Sequence, residues 1–119
     1  MEMGECMGIE QDEDGIVQEV AKINSEILSL IVKKNDLIQR YISDNGLKKV
    51  LENIRNSSIE NKIEGFYYDS EASMYVIKLE FPDKDFMTRL KKKHQIMIDA
   101  FKGISDEFIA KNIRIMGVI

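Results

Sequence analysis

Apolar residues recur at Ile16, Val20, Ile23, Ile27, Leu30, Leu37 and Tyr41, with Lys34 standing at the one polar place in the series. This four-three alternation is the mark of a helix that turns one seam toward a neighbouring helix every 3.5 residues. A second stripe, Val17, Leu28, Ile31, Ile38 and Ile42, lies beside the first and widens the apolar face. A helix of roughly 28 residues is about 42 Å long at about 1.5 Å per residue. That outruns what a compact domain drawn from a chain of 119 residues needs. The seam is therefore expected to meet another copy of the chain or a partner helix, while the second stripe packs on the chain's own sheet. The candidate partner-binding residues are Val20, Ile23, Ile27, Leu30, Leu37 and Tyr41. Lys34, in a seam position, is the kind of residue that specifies register at a cost in stability. Asn35-Asp36 is where such a rod would break into a helical hairpin, since both side chains compete for backbone groups. Asn45-Gly46 marks its end, because Gly is the usual residue at the left-handed position after a helix.

The remaining elements follow from shorter patterns. Leu47, Val50, Leu51 and Ile54 put one apolar face on a short helix over residues 47–55, ended by Asn56-Ser57-Ser58. Residues 62–68 and 74–81 are rich in aromatic and branched side chains and flank a polar turn, which predicts a hairpin. In its second strand Tyr75, Ile77, Leu79 and Phe81 are expected to face the core. Pro82 ends that strand, Asp83 is the expected N-cap of a helix over residues 84–103, and Phe86, Leu90, Met97 and Phe101 form its expected buried stripe. A helical turn over residues 105–111 and a last strand over residues 112–118 complete the chain. The predicted fold class is α+β: a long coiled-coil-like amphipathic helix and a short helix, then a ββαβ two-layer head with its helices on one face of a small antiparallel sheet. Residues 1–14 are read as an acidic disordered tail, 15–56 as the helical segment and 57–119 as the head.

Composition narrows the function. The single cysteine, Cys6, excludes an intramolecular disulfide, and the first fifteen residues carry six acids and no base, the opposite of a secretory leader. No run of about 18 apolar residues occurs, so a cytoplasmic or nuclear protein without a membrane span is expected. One histidine and one cysteine cannot make an ordinary zinc site. Glu10-Gln11-Asp12-Glu13-Asp14-Gly15 begins like a calcium loop, but Ala21 stands where the bidentate Glu belongs. His94 has no nucleophile motif to serve, and neither a phosphate-cradling loop nor a cofactor fingerprint is present. A non-enzymatic chain with no cofactor, no metal and no small-molecule substrate is the reading.

Charge supplies the alternative. With the six acids of the first fifteen residues set aside, 15 acids remain against 17 bases, and from residue 84 onward eight bases (Lys84, Arg89, Lys91, Lys92, Lys93, Lys102, Lys111, Arg114) face four acids. Arg89, Lys91, Lys92, Lys93 and Lys102 are the candidate anion or nucleic-acid contacts, and an aromatic among Phe66, Tyr67 and Tyr68 must face away from the core and be free to stack on a base.

In layout, MYVIKLEF followed by DFMTRLKKKHQIMIDAF and then IAKNIRI resembles the C-terminal half of small K-homology-like folds, and in particular the DciA-like family of replicative-helicase loaders. That resemblance covers about a third of the chain and consists of hydrophobic spacing; it implies a nucleic-acid-binding head, with Phe86 as the aromatic the family often shows at the start of this helix. The glycine-bearing loop of RNA-binding K-homology domains is absent. A coiled coil followed by a small α+β head also resembles kinetochore-type assembly proteins in architecture. The leading expectation is an adaptor or assembly protein, pairing through its first helix with a protein partner or a second copy, and a nucleic-acid-binding head is the alternative.

Overall fold

A computed structural model describes the chain over residues 9–117, with side chains from residue 13 onward. Helix α1 (Ile9–Asn45) is followed by α2 (Leu47–Arg55), strands β1 (Lys62–Asp69) and β2 (Met74–Glu80), α3 (Phe86–Ala100), α4 (Glu107–Lys111) and β3 (Ile113–Gly117). The backbone falls into two units, Met1–Lys34 and Asn35–Ile119. The fold is α+β, with the long first helix, the short helices and the three-stranded sheet that the residue pattern predicts.

α1 has 37 residues, about 55 Å at about 1.5 Å each. It starts at Ile9, ahead of the expected start near Gly15, so residues 9–14 of the presumed tail are helical. Acids in a first turn are favoured by the positive end of the helix dipole, an effect that a search for hydrophobic period does not register. The expected tail residues 1–8 lie outside the described residues. The helix does not break at Asn35-Asp36. Asp36 pairs with Arg40 one turn on at 2.8 Å, and Asn35 turns its amide to the hairpin, so neither side chain takes a backbone group of its own helix.

The helix stops where expected, but for another reason. Gly46 has φ −154, not a left-handed value. What demands glycine there is Ile109 of α4: a Cβ on Gly46 would lie 2.6 Å from Ile109 Cγ2 and 2.7 Å from Cδ1. α2 then buries all four residues of its apolar face, Leu47, Val50, Leu51 and Ile54.

β2 is the centre of the sheet, antiparallel to β1 and parallel to β3. The all-antiparallel sheet expected from the sequence is thus replaced by a mixed one, because α3 carries the chain back along the sheet before β3 pairs, as a parallel crossover requires. Tyr75, Ile77, Leu79 and Phe81 face the core as expected, with Ile113 and Ile115 beside them. Residues 105–106 and 112 fall outside the last helix and strand, and Gly117 ends the strand among the described residues.

α3 corrects two expectations. It begins at Phe86 behind Asp85, whose carboxylate accepts hydrogen bonds from the Thr88 backbone N–H (2.9 Å) and hydroxyl (2.7 Å). Asp83 is otherwise engaged, in an ion pair with Lys92 at 2.6 Å. Its buried residues are Ile96 and Ala100, each one position before the expected Met97 and Phe101, while Phe86 and Met97 are exposed and Leu90 and Phe101 half-buried. One position on a helix is a rotation of about 100°. Ala100 permits close approach of α2, from which Asn53 donates to the Ala100 and Lys102 carbonyls at 2.8 and 2.9 Å. This contact closes the C-terminal end of α3.

Candidate interaction surface

Every residue over 13–34 is exposed. The seam residues Ile16, Val20, Ile23, Ile27, Leu30 and Leu37 stand between 46% and 65% exposed, and Leu28, Ile31 and Val32 on the flanks are likewise uncovered. Burial on α1 begins at Asn35 and follows the second stripe: Ile42 is fully buried and Ile38 packs against the core. The division of labour between the two stripes thus holds within Asn35–Ile119, where the head takes Ile38 and Ile42 and leaves Leu37 to solvent.

Among the described residues Asn35 is the one buried polar side chain. Its Nδ2 donates to the Ser70 carbonyl at 3.1 Å, and its Oδ1 accepts from the Tyr68 and Ser73 hydroxyls, both at 2.9 Å. Ser73 is held at φ 57, a left-handed value rare for a residue with a side chain. Burial raises the Tyr68 hydroxyl above its ordinary pKa. The hairpin tip is thereby fastened to α1 through one amide, both acceptor sites of whose oxygen are filled.

Tyr41, the last expected seam residue, is partly spent on the head. Its ring meets Phe108 edge to face at 5.3 Å and its hydroxyl donates to Asp106. That bond raises the tyrosine's pKa and lowers the carboxylate's, each through the same shared proton.

The expected basic patch is dispersed. Arg89, Lys92 and Lys93 flank the buried side of α3 and are half-buried, Lys92 tied to Asp83, whereas Lys91 and His94 lie exposed around the circumference. Lys102 follows the other end of the helix, beside the Asn53 contact. The structure does not bring these five bases onto one face.

A different group is brought together by strand register. Tyr67, Val76 and Arg114 lie opposite one another across the three strands, and Lys78 and Met116 form the next row. Directly opposed residues share a face, and this face is the one away from Ile77 and Leu79. Tyr67, Arg114 and Met116 are exposed there, Lys78 is half-buried and Val76 at the centre is buried, and the Lys78 ammonium sits 5.5 Å from the centre of the Tyr67 ring. Tyr67 is thus the outward-facing aromatic, whereas Phe66 and Tyr68 take the core side, Phe66 exposed at the edge of β1. Arg114 was visible in the sequence as a base, but only the parallel pairing of β3 sets it beside Tyr67 and Lys78.

Among the described residues no three His, Cys, Asp or Glu side chains come together as metal ligands, and no helix is long and apolar enough to cross a membrane. The calcium-loop residues fall within α1, a helix rather than a loop. Compared with known proteins, the chain matches no family model, no curated protein and no solved structure.

Proposed function

We propose that this protein is a non-enzymatic assembly or adaptor protein that pairs through the seam of α1 with a helix of a second chain. The observation that carries the reading is the exposure of Ile16, Val20, Ile23, Ile27, Leu30 and Leu37 at coiled-coil spacing, on a chain whose head completes its core without them. Full burial of such a side chain is worth about 1.5–3 kcal/mol, and roughly half of each remains to be gained. Six positions on each of two helices then offer on the order of 12 kcal/mol, against an association cost of about 4–15 kcal/mol. Pairing of moderate, concentration-dependent strength follows. Sedimentation equilibrium from about 1 to 100 μM, a range set by affinities near the micromolar scale, tests it. The wild-type chain is expected to shift from one to two copies, and the I23K/L30K variant to remain single with the same head stability. A wild-type chain that stays single throughout, alone and with no second chain retained on it, overturns the reading.

A second reading is favoured by Tyr67, Lys78 and Arg114, which set one stacking ring and two cations around the buried Val76 on the outer face of the sheet. That is the chemistry of a single-stranded nucleic-acid platform. It predicts oligonucleotide binding that weakens steeply with salt and that K78E/R114E removes.

A further inference from the structure

The partner helix itself is legible in the charges that flank the seam. Building on the pairing reading above, we propose that α1 pairs with α1 of a second copy of this chain, and that the two run antiparallel.

The spacing assigns Val20, Ile27 and Lys34 to one class of seam position (a), and Ile16, Ile23, Leu30 and Leu37 to the other (d). The positions just before a carry Glu19, Glu26, Lys33 and Arg40, and those just after d carry Val17, Asn24, Ile31 and Ile38. The first flank is therefore acidic in its earlier half and basic in its later half. The other flank has no charge at all.

In a parallel pair each a residue meets its own copy, so Lys34 would face the partner's Lys34. The charged flank would lie along the uncharged one, Glu26 against the partner's Ile31 and Lys33 against the partner's Ile38. Nothing is matched, and two ammonium groups are forced together at the seam.

In an antiparallel pair a meets d and the charged flank meets itself. With the twofold axis between residues 28 and 29, Ile27 packs on the partner's Leu30 and Ile23 on the partner's Lys34. Glu26 then lies beside the partner's Lys33, and symmetry makes the same pair twice. One heptad outward, Glu19 meets the partner's Arg40. Lys34 stands alone over an isoleucine, where its stem can cover apolar surface while its ammonium reaches water. Ile23, Glu26, Ile27, Leu30, Lys33 and Lys34 are all exposed. Arg40 must leave Asp36, but that pair is 65% and 61% exposed, and such pairs exchange at little cost.

The test uses the full chain with Cys6→Ser, which removes the single native cysteine, and a nitroxide at Q18C, a position on the outside of the seam. Pulsed electron paramagnetic resonance then reads the distance between labels. In the antiparallel pair the two sites are separated along the axis by about 21 residues, roughly 32 Å at about 1.5 Å per residue. In a parallel pair they lie at the same height on the two outer faces, about 20 Å apart (about 10 Å between axes and about 5 Å of helix on each side) before the label arms are added. Charge exchange supplies the second arm: E26K and K33E should each weaken association about tenfold, as two attractive pairs become repulsive, and E26K/K33E should restore it. A dimer with a label separation of about 40 Å or more, the axial and lateral offsets combined, and with restoration supports the proposal. A dimer with closely spaced labels, or one the double exchange fails to restore, overturns the antiparallel arrangement and leaves pairing standing. A chain that remains single at every concentration overturns self-pairing, and one that in addition retains no second chain overturns the pairing reading as well.

Discussion

Replacing Asn35 by alanine isolates the contact that fastens the hairpin to α1. The side chain makes three hydrogen bonds, to the Ser70 carbonyl and from the Tyr68 and Ser73 hydroxyls, each worth about 0.5–1.5 kcal/mol net. Ser70 is exposed and Tyr68 and Ser73 are half-buried, so water can replace the lost partner for all three. The lower end of that range applies, giving a loss of about 1.5–2 kcal/mol. Alanine also favours the helix over asparagine by up to about 0.7 kcal/mol, which leaves a net destabilisation of about 1–1.5 kcal/mol. For a domain of this size, about 4–8 °C is lost per kcal/mol, so thermal unfolding followed by circular dichroism should show a midpoint lower by about 5–10 °C. Y68F should cost less, and the double variant N35A/Y68F should fall short of the sum by about 0.5–1 kcal/mol, the coupling expected of residues in one network. An N35A chain as stable as wild type, or a double-mutant cycle with no coupling, would refute the account of how α1 is held.

Other consequences can be checked separately. Gly46→Ala forces a Cβ into Ile109, which is only 2% exposed; a loss of about 1–3 kcal/mol in urea titration is expected, with I109V relieving part of it. Ile77→Ala, at a fully buried position in the central strand, should cost about 2–5 kcal/mol by the same titration. The side-chain and backbone hydrogen bonds from Thr88 lower the Asp85 pKa in the folded chain. Its stabilising effect is therefore complete above the ordinary value of 3.8 and is lost as the pH falls through the lowered one, so D85N should show a flatter stability profile below about pH 4. The exposed face of the sheet makes its own demand: fluorescence anisotropy with a single-stranded oligonucleotide at two salt concentrations should show no binding by K78E/R114E.

What the sequence disclosed was what local spacing determines. The four apolar residues of α2 could only be one helix face, the Asp69–Met74 interval could only be a turn between strands, and of the second stripe on α1 only Ile38 and Ile42 meet the core, while Val17, Leu28 and Ile31 stay exposed. What it withheld depends on contacts between distant segments. Gly46 looks like a helix cap until Ile109, far along the chain, is seen against it. Ala100 loses to Met97 and Phe101 in any ranking by side-chain size, yet a small residue is what lets α2 come near. Asp83 looks like the cap until Lys92 is seen to hold it and Asp85 to bond Thr88. The group of Tyr67, Lys78 and Arg114 depends on which residues of β3 lie against β2, and register and direction of pairing leave no trace in the composition of a strand.

Hydrogen exchange across residues 16–34 addresses the seam of α1 most directly. A helix exposed along its whole circumference frays and exchanges fast, because tertiary packing provides most of the stability of helices in proteins. If the seam is covered by a second copy of the chain, amide protection over residues 16–34 rises with protein concentration while protection in α2 and β2 stays constant. Amides that exchange equally fast in dilute and concentrated protein would contradict it.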